Sequence, residues 1–320
     1  MEYCLYDFGE IFTGKKSGKL VPGFTGDPVH PLAPACVADY EYPAWSRDVF
    51  LWWCGEKPEP LYIGGPTGCG KSSLIRQLAS RLLYPVYEVT GHSRLETPEL
   101  VGHHALKDGA TVWVDGPLTS AMRHGGIFLI DEVDLLDPGT ATGLNTVLDG
   151  APLCIPDTGE TVMPHPGFRF VATANTFGDG DMSGRYQGTL RLNAAFMDRF
   201  VVLEATFLPE VAELRLLARR TPSLPEELRK GMVRLAGMVR DQSKLPSDVP
   251  RAQALEGMTF STRTLLRWAT WTEACRPQAM RAGESPVAYA LTRALGNRCG
   301  EGGRRVLDEL VQRVFDISSK

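Results

Sequence analysis

Gly65-Pro66-Thr67-Gly68-Cys69-Gly70-Lys71-Ser72 is the stretch that decides the fold. It fits G-x-x-x-x-G-K-[ST], a loop whose glycines let backbone N–H groups wrap an anionic phosphate chain without side-chain interference. In such a loop Lys71 reaches the terminal phosphates, the Ser72 hydroxyl binds Mg²⁺, and the N-terminus of the next helix adds the positive end of its dipole. The flanks agree. Leu61-Tyr-Ile-Gly is an apolar run of the kind that forms a buried strand, and Leu74, Ile75, Leu78 and Leu82 recur at helical spacing around Ser73 and beyond. Strand, glycine loop and helix in that order predict an α/β nucleotide-binding fold with Gly65 to Ser73 against the nucleotide.

Downstream, Ile127-Phe-Leu-Ile-Asp131-Glu132 is four apolar residues followed by two acids, the pattern of a buried parallel strand that ends at a phosphate site. Asp131 is expected to hold Mg²⁺ through water, and Glu132 to orient and deprotonate the water that attacks the γ-phosphate. Phe168-Arg-Phe-Val-Ala-Thr-Ala-Asn175 is the next apolar run, and its terminal Asn175 can hydrogen-bond the attacking water or the γ-phosphate. Val86-Tyr-Glu-Val-Thr and Val201-Val-Leu-Glu-Ala complete five strands. A short helix from Asn193 to Met197 ends at Asp198-Arg199-Phe200, which places Arg199 to project out of its own subunit. Between these elements lie an insertion at 92–115, a helix from Thr140 to Leu148, two short strands around Asp157-Thr-Gly, and a glycine-dense polar loop from Gly178.

Residues 1–44 are rich in Pro, Gly and aromatics and read as an extended arm or loop-rich cap without helices. A helix is expected from Trp45 to Cys54. Beyond Leu208-Pro209 strand signals stop, and periodic apolar residues predict helices over Val211–Arg220, Pro225–Asp241, Thr262–Ala274, Pro286–Leu295 and Gly303–Ile317. The expected domains are therefore an arm at 1–44, an α/β nucleotide-binding domain at 45–207 and an all-α domain at 208–320.

Composition sets the outer limits. With 320 residues, 43% of them hydrophobic, the chain can bury a sizeable core. No run of about eighteen apolar residues occurs, and Met1-Glu-Tyr-Cys-Leu-Tyr-Asp lacks the basic start and apolar middle of a signal peptide, so a cytoplasmic protein without a membrane span is expected. Seven scattered cysteines with no C-x-x-C pair read as reduced thiols. Adjacent His103 and His104 point in different directions and have no third ligand spaced beside them, which argues against a metal site there. Residues 209–320 hold 19 basic and 13 acidic residues, leaving a net −10 in residues 1–208 of a chain whose total is −4. That asymmetry suits head-to-tail subunit contacts or an acidic partner, or is simply a set of solvated helix faces. It is not the dense basic stripe of a nucleic-acid binder.

Together the phosphate loop, Asp131-Glu132, Asn175, the Asp198-Arg199-Phe200 corner and Ser261-Thr262-Arg263 resemble an AAA+ ATPase. Within that superfamily the chain is similar to the MoxR and chelatase branch of the dynein-related group. The nearest likeness is to ATPase subunits of the aerobic cobaltochelatase type, through His165-Pro-Gly-Phe-Arg-Phe-Val-Ala-Thr-Ala-Asn-Thr, Gly178-Asp-Gly-Asp and Met197-Asp-Arg-Phe. The resemblance implies a P-loop AAA+ core, a five-stranded parallel sheet between helices, with a C-terminal all-α lid. It makes Gly65 to Ser72 Walker A, Asp131 with Glu132 Walker B, Asn175 sensor 1, Arg199 the arginine finger and Arg263 sensor 2. ATP and Mg²⁺ follow as cofactors. Because an arginine finger acts in trans, the implied assembly is a homo-oligomeric ring, a hexamer. The 92–115 insertion and the 153–163 hairpin are implied to face partners, typically a von Willebrand factor A-type protein whose metal site the ring remodels or fills. Two rivals stand beside this remodeller: a nucleic-acid-directed NTPase motor, and a nucleotide-switched scaffold that does not hydrolyse.

Overall fold

The first strands come earlier than the sequence pattern predicts. In a computed structural model, which describes residues 2–55, 58–181, 186, 188–242, 258–281 and 283–316, the expected N-terminal loop is a β-hairpin. β1 (Glu2–Asp7) and β2 (Leu20–Thr25) pair antiparallel, with Tyr6 opposite Val21, and α1 (Phe8–Thr13) lies between them. Pro22 and Gly23 look like breakers in the sequence, but a two-stranded ribbon tolerates Pro at its edge. A Cβ at Gly23 would lie 2.5 Å from the Tyr6 ring, so the missing side chain is what lets the strands close. Phe24 then anchors the hairpin: its N–H donates to Leu82 O at 2.9 Å and its ring meets Tyr84 edge-on at 4.8 Å.

The elements that follow are α2 (Ser46–Trp53), β3 (Leu61–Gly64), α3 (Lys71–Arg81), β4 (Val86–Thr90), α4 (Thr97–Val101), β5 (Gly102–Lys107), β6 (Ala110–Asp115), α5 (Pro117–His124), β7 (Gly126–Asp131), α6 (Pro138–Gly143), α7 (Asn145–Leu148), β8 (Leu153–Ile155), β9 (Glu160–Val162), β10 (Phe168–Ala174), α8 (Ala194–Met197) and β11 (Val201–Glu204). The expected helix from Thr140 to Leu148 is two helices. Leu144 N–H bonds Ala141 O, three residues back, which tightens the turn and breaks the winding.

All five apolar runs join one parallel sheet in the order β11-β3-β10-β7-β4. Strands buried on both faces need near-continuous apolar sequence, and that is what these runs are. Their carboxyl ends are in step: Gly64 is opposite Ala174, Ile130 opposite Ala172, and Thr90 opposite Asp131. The segments leaving β3, β7 and β10 therefore emerge on one edge, where open α/β sheets bind ligands. β5 with β6 and β8 with β9 form two separate antiparallel hairpins. The partly exposed guanidinium-carboxylate contacts of Arg123 with Asp115 and Glu160 link α5 to both.

The chain divides into two compact units, residues 1–65, 70–182 and 187–205 in one, and 66–69, 183–186 and 206–320 in the other. Around the sheet of the first, Phe128, Ile130, Phe170, Ala172 and Phe196 form a closed apolar core. The second contains α9 (Glu210–Arg220), α10 (Glu226–Gln242), α11 (Thr262–Ala274), α12 (Arg276–Arg281), α13 (Pro286–Ala294) and α14 (Glu301–Phe315), with a core of its own around Trp268, Phe260, Met232, Leu235 and Leu307. Inside it Glu213 is fully buried and makes a two-pronged pair with Arg240, at 2.8 and 2.9 Å. Arg240 Nε also donates to Phe260 O, and Thr262 Oγ1 donates to Glu213, so the pair fixes the start of α11. Removing one member of such a pair leaves the other charge buried alone. Glu213→Ala is expected to cost about 3–5 kcal/mol, read as an earlier denaturation midpoint of the helical unit; a loss under about 1 kcal/mol would mean that the pair is not desolvated as described. No described helix is long and apolar enough to cross a membrane, and all seven cysteines are free thiols.

Candidate nucleotide site

The loop after β3 is shaped by close backbone approach. Gly65 has φ +147°, and a Cβ there would lie 2.2 Å from Ala205 O, at the end of β11. Only glycine combines that conformation with that contact. Gly70, with φ 102°, turns the chain into α3, whose first residue is Lys71.

Lys71 is buried, and its Nζ donates to Gly65 O at 2.6 Å and to Asn175 Oδ1 at 3.1 Å. The residue that follows β10 is thereby joined to the first turn of α3. One residue further along α3, Ser72 Oγ donates to Asp131 Oδ1 at 2.8 Å, and Thr173 Oγ1 donates to the same carboxylate oxygen. Lys71, Ser72, Asp131 and Asn175, drawn from positions up to 104 apart in sequence, thus form one connected cluster at the carboxyl edge of the sheet.

Glu132, beside it, is a non-glycine residue in the left-handed region (φ 60°, ψ 46°). Such a conformation costs on the order of 1 kcal/mol and persists only where its surroundings enforce it. The carboxyl of Glu132 binds its proton more tightly than an ordinary glutamate, first because burial disfavours the charge, then because Asp131 and Asp134 are near; Lys71 opposes them. A carboxylate with raised proton affinity is a better proton acceptor. The Ser72 hydroxyl and Asp131 carboxylate are hard oxygen donors that fit Mg²⁺, which takes one or two protein oxygens and completes its shell with water and phosphate. A buried ammonium beside a glycine loop at a helix N-terminus fits a phosphate chain.

The remaining expected residues are placed as follows. Ser73 is exposed on α3. The loop tip, Pro66 to Cys69, belongs to the second unit, where Thr67 N–H donates to Tyr186 OH at 3.4 Å. A Cβ at Gly68 would lie 2.6 Å from Ser261 Cβ and 3.7 Å from Arg263 Cβ. Ser261 caps α11 by accepting from Thr264 N–H at 3.1 Å, which leaves exposed Arg263 in the first turn. Cys69 is buried. Arg199 is not joined to the Lys71 cluster. Its Nε and Nη2 reach Asp149 Oδ1 and Oδ2 at 2.8 and 3.1 Å, and Nη1 donates to Ala195 O. Within its own chain it therefore lies against the end of α7.

Three further residues hold these groups, two of them in the cluster and one beside Arg199. Thr173, in β10, lies two residues before Asn175, the spacing at which an extended chain repeats its side-chain direction, a period-2 signal legible in the sequence. Asp134 sits inside Asp131-Glu-Val-Asp, and its role depends on a bond across 42 residues. Asp149 has no sequence signal at all.

The profile described as "AAA domain (dynein-related subfamily)" matches residues 60–200, and that described as "CbbQ/NirQ/NorQ C-terminal" matches 213–314. The aerobic cobaltochelatase subunit CobS of a Sinorhizobium species is 33% identical over 269 residues, covering 81% of this chain and 76% of that protein. Protein NorQ of Paracoccus denitrificans is 37% identical over 57% of this chain and 64% of its own length. The denitrification regulatory protein NirQ of Stutzerimonas stutzeri is 32% identical over 68% of this chain and 75% of its own. Among solved structures, a mutant RuvB from Thermotoga maritima superposes with a TM-score of 0.52 at 12% identity, over 90% of this chain and 81% of that one, a likeness of fold.

Proposed function

We propose, from the premise that this chain belongs to the AAA+ ATPases of the dynein-related subfamily, that it hydrolyses ATP in a homo-oligomeric ring, a hexamer, and uses the energy to remodel or activate a protein partner. The observation that carries the reading is the single cluster of Lys71, Ser72, Asp131 and Asn175 at the carboxyl edge of β3, β7 and β10. Lys71 and the N–H groups of Gly65 to Ser73 hold the phosphates. Ser72 and Asp131 would hold Mg²⁺, which would neutralise charge on the terminal phosphates. Glu132 takes the proton of the attacking water, and Asn175 orients that water or the γ-phosphate. Arg199 completes the site of a neighbouring subunit, and Arg263 reaches the nucleotide from the first turn of α11.

The partner is proposed to be a protein, of the von Willebrand factor A type. The name of one relative, a cobaltochelatase subunit, supports a client that handles a metal.

Phosphate release from ATP by the wild-type chain, with and without Mg²⁺, tests the chemistry. Glu132→Gln is expected to bind ATP with wild-type affinity and lose about 10²-fold or more in turnover, the usual contribution of a general base. A wild-type chain that binds ATP but releases no phosphate as an assembled ring, or a Glu132→Gln chain that turns over at the wild-type rate, would overturn the assignment.

A further inference from the structure

We propose that Asp134 is the positioning residue for Asn175: its buried carboxylate holds the carboxyl end of β10 so that the Asn175 side chain faces Lys71. This rests on the reading of Asn175 given above and extends it to a residue outside the recognised motifs.

The argument begins with backbone groups that the sheet cannot satisfy. β10 ends at Ala174, paired with Gly64, and on its other side its pairing with β7 ends at Ala172. The N–H groups of Asn175 and Thr176 lie past both ladders, in a region where Thr176 is buried. A buried N–H without an acceptor costs roughly 1–3 kcal/mol, so this end of the strand needs an acceptor from elsewhere or it frays. Asp134 supplies it. Its Oδ2 accepts from Asn175 N–H at 3.0 Å, Thr176 N–H at 3.1 Å and Thr176 Oγ1 at 3.0 Å. Tyr62 OH donates to Thr176 O at 2.9 Å, so Thr176, the residue after Asn175, is held through both its N–H and its C=O.

The carboxylate itself is placed at some cost. Asp134 is 0% exposed, and its Oδ1 is buried with no hydrogen-bond partner among the described residues. An aspartate placed for its own satisfaction would not leave one oxygen empty. Its geometry serves the strand end, where three donors converge on one oxygen. Asp134 also sits in the single 3₁₀ turn Val133–Leu135 that follows Glu132, and its own backbone oxygen accepts from Leu190 N–H at 2.7 Å. One short turn therefore carries Asp131 and Glu132 on one side and tethers Asn175 on the other, fixing the distance between the acids and the amide.

The test uses the full chain and separates tether from charge. Asp134→Asn can place its amide oxygen where Oδ2 lies and its NH₂ where the empty Oδ1 lies, so it retains the acceptor; Asp134→Ala does not. Asp134→Ala is expected to lower kcat by about 10- to 100-fold, the scale of a misplaced positioning group, with ADP affinity within about twofold, and Asp134→Asn to recover most of the loss. In an Asn175→Ala background, Asp134→Ala should cost nothing further. Full additivity there, wild-type kcat in Asp134→Ala, or an Asp134→Asn chain as slow as Asp134→Ala would each overturn the proposal. Should Asp134→Ala fail to fold, amide exchange on the wild-type chain decides: Asn175 and Thr176 are expected to exchange as slowly as residues within β10, and exchange at solvent rates would overturn the tether. That measurement is independent of turnover. An absence of ATP hydrolysis in the wild type sinks the functional reading while leaving the tether to stand or fall by itself.

Discussion

Arg199→Ala is expected to leave ATP binding within about twofold of wild type and to lower kcat by about 10³-fold or more, the usual contribution of an arginine finger. The expectation comes from where Arg199 is and is not. It follows α8 at the entry to β11, and its hydrogen bonds run to Asp149 and Ala195, not to Lys71, Ser72, Asp131 or Asn175. On the proposed reading its role in hydrolysis is played at a neighbour's site. The pair with Asp149 does not prevent this. Arg199 is 27% and Asp149 53% exposed at the side chain, and exposed pairs are worth about 0–1 kcal/mol. A γ-phosphoryl that gathers charge in the transition state offers the same planar fork more acceptor oxygens in drier surroundings. Mixing Arg199→Ala subunits with Glu132→Gln subunits gives the decisive measurement. Each variant alone lacks half of every site, whereas mixed rings contain some junctions with an intact Glu132 and an intact Arg199. Turnover should reappear on mixing; mixtures as inactive as either parent would exclude a shared site.

Lys71→Ala is expected to weaken ATP and ADP binding by about 2–5 kcal/mol, the cost of truncating one partner of a buried charged contact, which is about 30- to 4000-fold at 1.4 kcal/mol per decade. Lys71 is 8% exposed, and its ammonium is already held by Gly65 O and Asn175 Oδ1. Little side-chain entropy remains to be lost when phosphate arrives, so most of the contact energy appears as affinity. Alanine is a good helix former at the start of α3, so the variant should fold, and an unchanged thermal midpoint without nucleotide serves as the control. Binding of a fluorescent ADP analogue reads the effect. Equal affinity in the two chains would remove Lys71 from the phosphate site and the loop assignment with it.

Much of this was legible along the chain. Leu61 to Gly64, Ile127 to Asp131 and Phe168 to Ala174 are strands because both their faces are buried, which demands uninterrupted apolar sequence, and each ends at or next to a residue bonded into the Lys71 cluster. Other features needed the third dimension. The hairpin of residues 2–25 is hidden because Pro22 and Gly23 are punctuation in a one-dimensional reading; Gly23 makes sense only with the Tyr6 ring lying across it. The break at Leu144 follows from a local three-residue hydrogen bond within a run of otherwise helical pattern.

Contiguous residues of fixed spacing are enough to specify the α/β class, the glycine loop, the acids and amide at the strand ends, and the change to helices after Pro209. The strand order β11-β3-β10-β7-β4, the attachment of Arg199 to Asp149, and the hold of Asp134 on Asn175 come instead from long-range contacts. These depend on which distant segments become neighbours, and that is chosen by the packing of the whole core. No local pattern in the chain encodes it.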